Sequence, residues 1–89
     1  MDTSAFEAKL KTDGYTEIEI KTYYPRPANG EHGHHFSVRG LVLEGAFIVI
    51  SDHKPVTYRT GEIFTVPKGC LHCEEISPEG ARVLIGRKY

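Results

Sequence analysis

The chain has 89 residues, of which 39% are hydrophobic and 26% are charged, a composition typical of a folded domain and unlike that of a disordered segment. Its 11 basic and 12 acidic residues leave a formal net charge of -1, which argues against a nucleic-acid partner. No apolar run approaches the roughly 18 residues of a membrane span, and no signal peptide is visible. We therefore expect a cytoplasmic protein with a single domain over residues 1–89.

A short α-helix is predicted at the start of the chain, within residues 1–14. Ser4 and Glu7 have the spacing of a capping box, in which the two side chains accept hydrogen bonds from free backbone amides. Gly14 is a typical residue beyond the last helical turn. Because so short a helix is marginal on its own, we expect its apolar residues, such as Leu10, to pack against the rest of the chain.

The remainder, residues 15–89, is predicted to consist of short β-strands. From Tyr15 to Tyr24, Ile18 and Ile20 alternate with charged residues such as Lys21, which indicates a strand with one solvated face. Strand-like runs separated by turn signals follow at 34–43, 46–50, 55–59, 63–66, 71–76 and 81–85. About seven short strands with no helix between them favour an all-β antiparallel sandwich or barrel.

Four of the five histidines lie in two short segments, 30–35 and 67–73, and these segments carry the chemistry of the chain. Imidazole is the commonest ligand for a transition metal in proteins. His32 and His34 are two residues apart, so on an extended chain both project from the same face. The fold would have to bring His72 to that face.

The spacing of these residues resembles the two motifs of the cupins, written G-x5-H-x-H-x(3,4)-E-x6-G and G-x5-P-x-G-x2-H-x3-N. The second motif departs only at its final Asn, where this chain has Ile76. The matching residues are His32, His34 and Gly45 for the first motif, and Gly61, Pro67, Gly69 and His72 for the second. The resemblance implies a cupin-type double-stranded β-helix (jelly-roll) barrel, with a metal inside it.

One ligand of the first motif is missing. Its glutamate falls at Val38 or Arg39, neither of which is a carboxylate, and Glu44 belongs to the predicted turn. The resemblance therefore implies a site with histidine ligands alone, similar to the thiol dioxygenases of the wider cupin family. Such a site leaves the full charge of a divalent metal uncompensated, which favours anionic ligands.

The three implied metal ligands are His32, His34 and His72. Nitrogen donors suit Zn, Ni, Fe or Cu rather than Mg or Ca, which prefer oxygen. The histidines could also be polar residues of a barrel that has lost its metal together with the glutamate. Four further residues are predicted to line the pocket: Phe36, Val38, Cys70 and Glu74.

The other polar residues of the two segments have plainer interpretations. His35 follows His34 directly and should point to the opposite face, towards solvent. Cys70 and Cys73 form a lone C-x-x-C with neither the second pair of a zinc ribbon nor the βαβ setting of a redox motif. Arg39 is either a surface charge, which strand alternation favours, or an anion anchor inside the barrel.

Two further expectations concern the surface and the assembly. His53 lies in a hairpin turn and should be solvated. A barrel this small exposes sheet edges and apolar faces, so we expect a homodimer, the commonest symmetric assembly.

Three functions are compatible with these residues. The first is a metal-dependent enzyme that acts on a small molecule, an oxygenase or an isomerase. The second is a non-catalytic sensor or binding module, similar to the cupin domains of bacterial regulators. The third is a structural barrel that holds neither metal nor ligand.

Overall fold

The computed structural model describes residues 1–89 and confirms the predicted all-β fold with a short N-terminal helix. No helix is long and apolar enough to cross a membrane. The elements are α1 (Ser4–Thr12), β1 (Thr16–Tyr23), β2 (Ser37–Ser51), β3 (Lys54–Arg59), β4 (Ile63–Val66) and β5 (Cys73–Lys88).

Two long strands, β2 and β5, form the middle of the sheet. They pair with each other in antiparallel fashion along nearly their whole length, and the order across the sheet is β1-β5-β2-β3. The first half of β2 also pairs with β4, and its second half pairs with β3. Each long strand therefore contributes to both halves of the folded sheet.

The sheet folds over where turns were predicted. Glu44-Gly45 and the segment 77–80 do not end strands; they are bends inside β2 and β5, and the pairing register shifts on both sides of Gly45. Gly45 and Gly80 both have a φ of +74°. A Cβ atom on Gly45 would overlap the carbonyl oxygen of Gly80, so the two backbones approach this closely because Gly45 has no side chain.

The concave side of the folded sheet holds the larger hydrophobic core. The rings of Phe47 and Phe64 stack at its centre with their centroids 4.9 Å apart. The core consists of Val42, Phe47, Val49, Phe64, Val66, Ile76, Ala81, Val83 and Ile85. These residues come from β2, β4 and β5, so the core links both halves of the sheet.

The helix covers the convex side, as its apolar residues predicted. Leu10 is fully buried, and its Cδ1 lies 3.3 Å from the position that a Cβ of Gly86 would occupy. Tyr15 and Ile18 surround the same position, at 3.2 and 3.4 Å. The missing side chain at Gly86 lets the helix lie close to the sheet.

The helix begins without the predicted capping box. Thr3 is the N-cap residue and its side chain makes no cap hydrogen bond. Ser4 is already helical, and its hydroxyl donates to Asp2 Oδ1 at 2.7 Å. The end of the helix is held more firmly, because Asp13 accepts hydrogen bonds from Arg39 and from Lys9.

The first prediction concerns this helix end at low pH. The Arg39 guanidinium, followed by Lys9, holds the pKa of Asp13 below its usual value. Ionised Asp13 therefore stabilises the folded state above the ordinary carboxyl pKa, and this contribution is lost as the pH falls through the lowered value. Asp13→Asn should remove that part of the acid dependence, seen as a flatter loss of urea midpoint below about pH 5.

Asp52→Asn is the matched control, because Asp52 is exposed in the turn between β2 and β3 and takes part in no ion pair. If the two variants and the parent lose stability in parallel between pH 5 and pH 2, the Asp13 contact contributes nothing.

The second prediction tests the fold of the sheet. Gly45→Ala combines a left-handed backbone, which costs an alanine about 1–2 kcal/mol, with a clash against the Gly80 carbonyl. We expect a loss of about 3 kcal/mol or more in the free energy of unfolding. Gly61→Ala is the control, since Gly61 has a φ of +89° and no atom within 4 Å of its added Cβ. Equal losses in urea unfolding would show that the close approach at Gly45 is not what requires glycine.

Candidate metal centre

A short antiparallel bridge brings the two histidine segments together. The backbone amide of His32 donates to the His72 carbonyl at 2.9 Å, and the amide of His72 donates to the His32 carbonyl at the same distance. The amide of Gly69 donates to the carbonyl of His34 at 3.0 Å. Directly opposed residues in such a bridge project on the same side. The bridge therefore places the His72 ring beside the rings of His32 and His34.

The three rings form a compact group. Their centroids are 5.0 Å apart for His32 and His34, 4.4 Å for His32 and His72, and 5.4 Å for His34 and His72. One ligand atom from each of them, together with a carboxylate oxygen of Glu74, lies within 4.8 Å of all the others. Donors that share an ion at about 2.0–2.2 Å can be no more than about 4.4 Å apart. Small side-chain rotations therefore suffice to bring all four onto one ion.

Two backbone carbonyls set which ring nitrogens face the site. His32 Nδ1 lies 2.9 Å from the Gly30 carbonyl, and His72 Nδ1 lies 3.1 Å from the Cys70 carbonyl. A carbonyl oxygen only accepts, so each Nδ1 carries the proton and donates. This leaves Nε2 of both rings as the free donor to a metal, the arrangement that second partners of metal-bound histidines normally impose.

A carboxylate, that of Glu74, lies beside the three rings. The first motif places its glutamate at Val38 or Arg39, whereas Glu74 comes from β5, the strand that follows His72. Its side chain is one-fifth exposed and is held by an ion pair with Arg26, at 3.5 Å. The first motif thus lacks its carboxylate, as expected, and Glu74 offers one from β5 that could join the three histidines.

The loop before His32 fixes the backbone around Glu74. Arg26 forms an isolated bridge with Ile76, and its guanidinium also donates to the Glu74 carbonyl at 2.8 Å. The Asn29 side chain accepts a hydrogen bond from the Glu74 amide at 2.8 Å. The carboxylate is therefore oriented by contacts on its side chain and on both sides of its main chain.

The contact between His72 and Glu74 needs a proton or a metal ion between its two facing atoms. His72 is 1% exposed, and its Nε2 lies 3.2 Å from Glu74 Oε2. With its proton on Nδ1, a neutral His72 presents a lone pair to an acceptor oxygen. Two acceptors at that distance repel each other unless a proton or a metal ion lies between them.

His34 is the third nitrogen donor, and its surroundings favour the neutral ring. Burial lowers the pKa of His34, and the nearby rings of His32 and His72 lower it further. Its ring stacks on that of Phe36, with the centroids 4.8 Å apart and an interplanar angle of 17°. A neutral imidazole in a fixed orientation is the form that binds a metal.

A cavity of about 140 Å³ adjoins these donors. The lining residues are Lys21, Tyr23, His34, Phe36, Val38, Phe47, Phe64, Val66, His72, Glu74, Ile85 and Arg87. Phe36, Val38 and Glu74, which the sequence placed at the pocket, are among them.

Cys70 was also expected at the pocket, but the structure places it elsewhere. It is half-buried, packs against the inner core and lines a separate depression beside β3 and β4. Cys70 lies before β5 and before the bridge at His72. Strand alternation counted back from His72 therefore does not apply to it. Cys73 is a free thiol, and His35 and His53 are exposed.

Lys21, Tyr23 and Arg87 are cavity residues that the sequence interpretation missed. Lys21 was assigned to the solvated face of β1, yet it shares the concave face with Tyr23, while Ile20 is 51% exposed on the convex face. The spacing of two between Lys21 and Tyr23 was the available signal. Burial raises the pKa of Tyr23 to about 12, so its phenol stays protonated and can donate a hydrogen bond into the cavity.

The arginine inside the barrel is Arg87 rather than Arg39. Arg39 lies on the convex face, where it contacts Asp13 and sits 4.6 Å from the centre of the Tyr15 ring. Arg87 pairs with Val38 across β2 and β5 on the concave face, and it donates to Glu19 Oε2 at 2.9 Å. The favoured surface interpretation of Arg39 agrees with this placement.

Comparisons with known proteins identify the fold. No protein-family model matches the sequence, and no curated protein matches it either. Among solved structures, the EutQ protein of Clostridium difficile is similar with a TM-score of 0.72 and 18% identity, over 89% of this chain and 60% of that one. The chain thus spans less than two thirds of that protein.

Two further structures extend the comparison. A cupin-2 domain protein from Shewanella frigidimarina has a TM-score of 0.69 and 17% identity, over 94% of this chain and 92% of that one. A salicylate 1,2-dioxygenase from Pseudoaminobacter salicylatoxidans has a TM-score of 0.69 and 22% identity, over 80% of this chain and 22% of that one. The similarities show that this chain has the fold of a small cupin, as its motifs predicted.

Proposed function

We propose that this small cupin-fold protein binds one divalent transition metal through His32, His34, His72 and Glu74, and holds a small molecule in the adjoining cavity. One observation carries the proposal: four donors converge within 4.8 Å, among them a buried imidazole and a carboxylate whose facing atoms, His72 Nε2 and Glu74 Oε2, lie 3.2 Å apart. A divalent cation bound by both would take the place of the proton that otherwise joins these two atoms. The backbone carbonyls behind His32 and His72 already hold the donors in the required orientation.

The donor set limits the metal. Three imidazole nitrogens and one carboxylate oxygen suit Zn, Ni, Fe or Cu better than Mg or Ca. The carboxylate cancels one of the two positive charges, so the bound ion retains net positive charge and supplies Lewis acidity to a molecule in the cavity. The protein contributes orientation through Arg26 and Asn29, and the apolar walls of the cavity limit the access of water.

Metal analysis tests the proposal directly. The purified protein, loaded with zinc, should retain about one ion per chain, measured by elemental analysis and by competition with a chromophoric chelator. His32→Ala and His72→Ala should each weaken zinc binding by more than about 100-fold, since a lost ligand exceeds the 10–100-fold effect of a lost orienting partner. Glu74→Gln should weaken it by at least about tenfold.

His35→Ala is the matched control, because His35 is adjacent to a ligand yet exposed. It should bind zinc as the parent does. Circular dichroism of each metal-free variant separates a lost ligand from a lost fold, and His32→Ala covers the case in which the buried His72 cannot be replaced. A parent protein that retains no zinc, or an equal loss in the His35 variant, contradicts the metal site.

A catalytic role is the second candidate, favoured by the cavity that opens beside the donors. Similarity of fold to a salicylate 1,2-dioxygenase makes oxygen chemistry the first activity to measure. Oxygen uptake by the iron(II)-loaded protein, with salicylate as the probe, distinguishes an oxygenase from a binding module. Metal binding without uptake favours the non-catalytic module.

We also propose that two copies associate through the outer strands of the sheet. Strands β1 and β3 end the sheet order and have a free edge. Ile20 on β1 and Val56 on β3 are 51% and 49% exposed. Light scattering should give twice the chain mass of 10.0 kDa, and Ile20→Lys should shift the population towards the single chain if β1 is the contact. A single-chain mass at all concentrations refutes the dimer.

A further inference from the structure

We propose that the cavity selects a small carboxylate with an apolar body, the carboxylate lying against Lys21 and Arg87 and the body against the aromatic walls beside the metal donors. The inference rests on the proposed metal site for its full form, since the body of the ligand would face that site. The cationic wall, formed by Lys21 and Arg87, does not depend on the metal. The two proposals can therefore be tested separately.

Two cationic side chains line the cavity from different strands. Lys21 comes from β1 and Arg87 from β5, and both point to the concave face, where neighbouring residues are hydrophobic. Cations are seldom placed on the wall of an apolar cavity without a counter-charge, because desolvation disfavours them. Lys21 makes no ion pair, and its ammonium lies 5.6 Å from the centre of the Tyr23 ring.

Arg87 has N–H groups that its contact with Glu19 does not use. It is bound to Glu19 through one terminal nitrogen, and the Glu19 side chain is 50% exposed on the outer rim. A guanidinium carries five N–H groups in a planar fork that matches a carboxylate. The remaining donors of Arg87, the ammonium of Lys21 and the protonated phenol of Tyr23 provide a site for two carboxylate oxygens.

The charges around the cavity also favour an anion. Among the side chains that line the cavity, Lys21 and Arg87 are positive and Glu74 is negative. The side chains alone therefore leave one excess positive charge, and a divalent metal adds to it. An anionic ligand reduces this excess, whereas a cationic or neutral ligand leaves it in place.

The walls and the size of the cavity define the rest of the ligand. Phe36, Phe47 and Phe64 line it, and the Phe36 ring touches both regions, stacked on His34 at 4.8 Å and 5.7 Å from the Arg87 guanidinium. The volume of about 140 Å³ is close to the roughly 150 Å³ of an apolar protein cavity that accommodates benzene. A ligand with one ring, or a branched chain of similar size, fits between the cations and the metal donors.

Calorimetric titration with sodium benzoate tests the inference, with benzamide as the neutral probe of nearly the same shape. The zinc-loaded protein should bind benzoate at least about tenfold more tightly than benzamide, since hydrogen bonds that involve an ionised partner are roughly twice as strong as neutral ones. Arg87→Gln should weaken benzoate about tenfold and leave benzamide unchanged. Lys21→Met should act in the same direction.

Arg82→Gln is the matched control, because Arg82 lies on the same strand as Arg87 and pairs with Glu44 outside the cavity. It should bind benzoate as the parent does. Equal binding of benzoate and benzamide, no binding of either, or a benzoate preference that survives in both Arg87→Gln and Lys21→Met overturns the inference. If one variant fails to fold, the other still decides.

Zinc content, measured on the same samples, separates this inference from the metal site. If the protein retains zinc but shows no preference for benzoate, the carboxylate inference is overturned and the metal site is supported. A protein that retains no zinc loses the metal site, and the metal-free titration then decides: a benzoate preference that Arg87→Gln removes supports the cationic wall, and its absence overturns it.

Discussion

The structure depends on a constraint between two backbones, the close approach of Gly45 to Gly80 where the paired strands β2 and β5 fold over. In a straight strand, Glu74 and Arg87 would lie about 43 Å apart at roughly 3.3 Å per residue, yet both line one cavity of the folded sheet. In β5, the residues that face the concave side are even-numbered before the bend, such as Glu74, and odd-numbered after it, such as Val83. The bulge therefore brings the ends together and also keeps the inner face apolar across the bend.

The carboxylate of the candidate site comes from the same part of the chain as His72 rather than from the first motif. A metal responds to donors in space, and the concave side of a folded sheet presents positions from several strands to one point. The first motif has Val38 or Arg39 where its glutamate falls, whereas the carboxylate of Glu74, two residues beyond His72, lies beside the three rings. Arg26 and Asn29 then act on Glu74 as orienting partners that the sequence motifs do not contain.

Much of the site could be predicted from sequence, because His32, His34 and His72 stand at motif spacings that depend on local geometry. Strand alternation also predicted that Glu74 could face inward. Lys21 and Arg87 could not be assigned, since alternation separates two faces of a strand without telling which face is interior. Here the convex face is covered by Leu10 of the helix over Gly86, and Ile18 joins it there, so the charged side of β1 turns towards the cavity. The segments 44–45 and 77–80 were predicted to end strands for a related reason. In a sequence, a bend inside a strand and the end of a strand both interrupt the alternation of apolar and polar residues.

The isolated bridge between Arg26 and Ile76 has a consequence for the behaviour of the sheet in solution. The first half of β5 pairs with β2 on one side, and the Arg26 segment occupies its other side. Pro25 and Pro27 flank Arg26, and neither has an amide hydrogen to donate to a further strand. The segment thus closes an edge that could otherwise recruit a strand from another molecule. The loop that leads to His32 therefore protects this edge of β5 against pairing with another molecule.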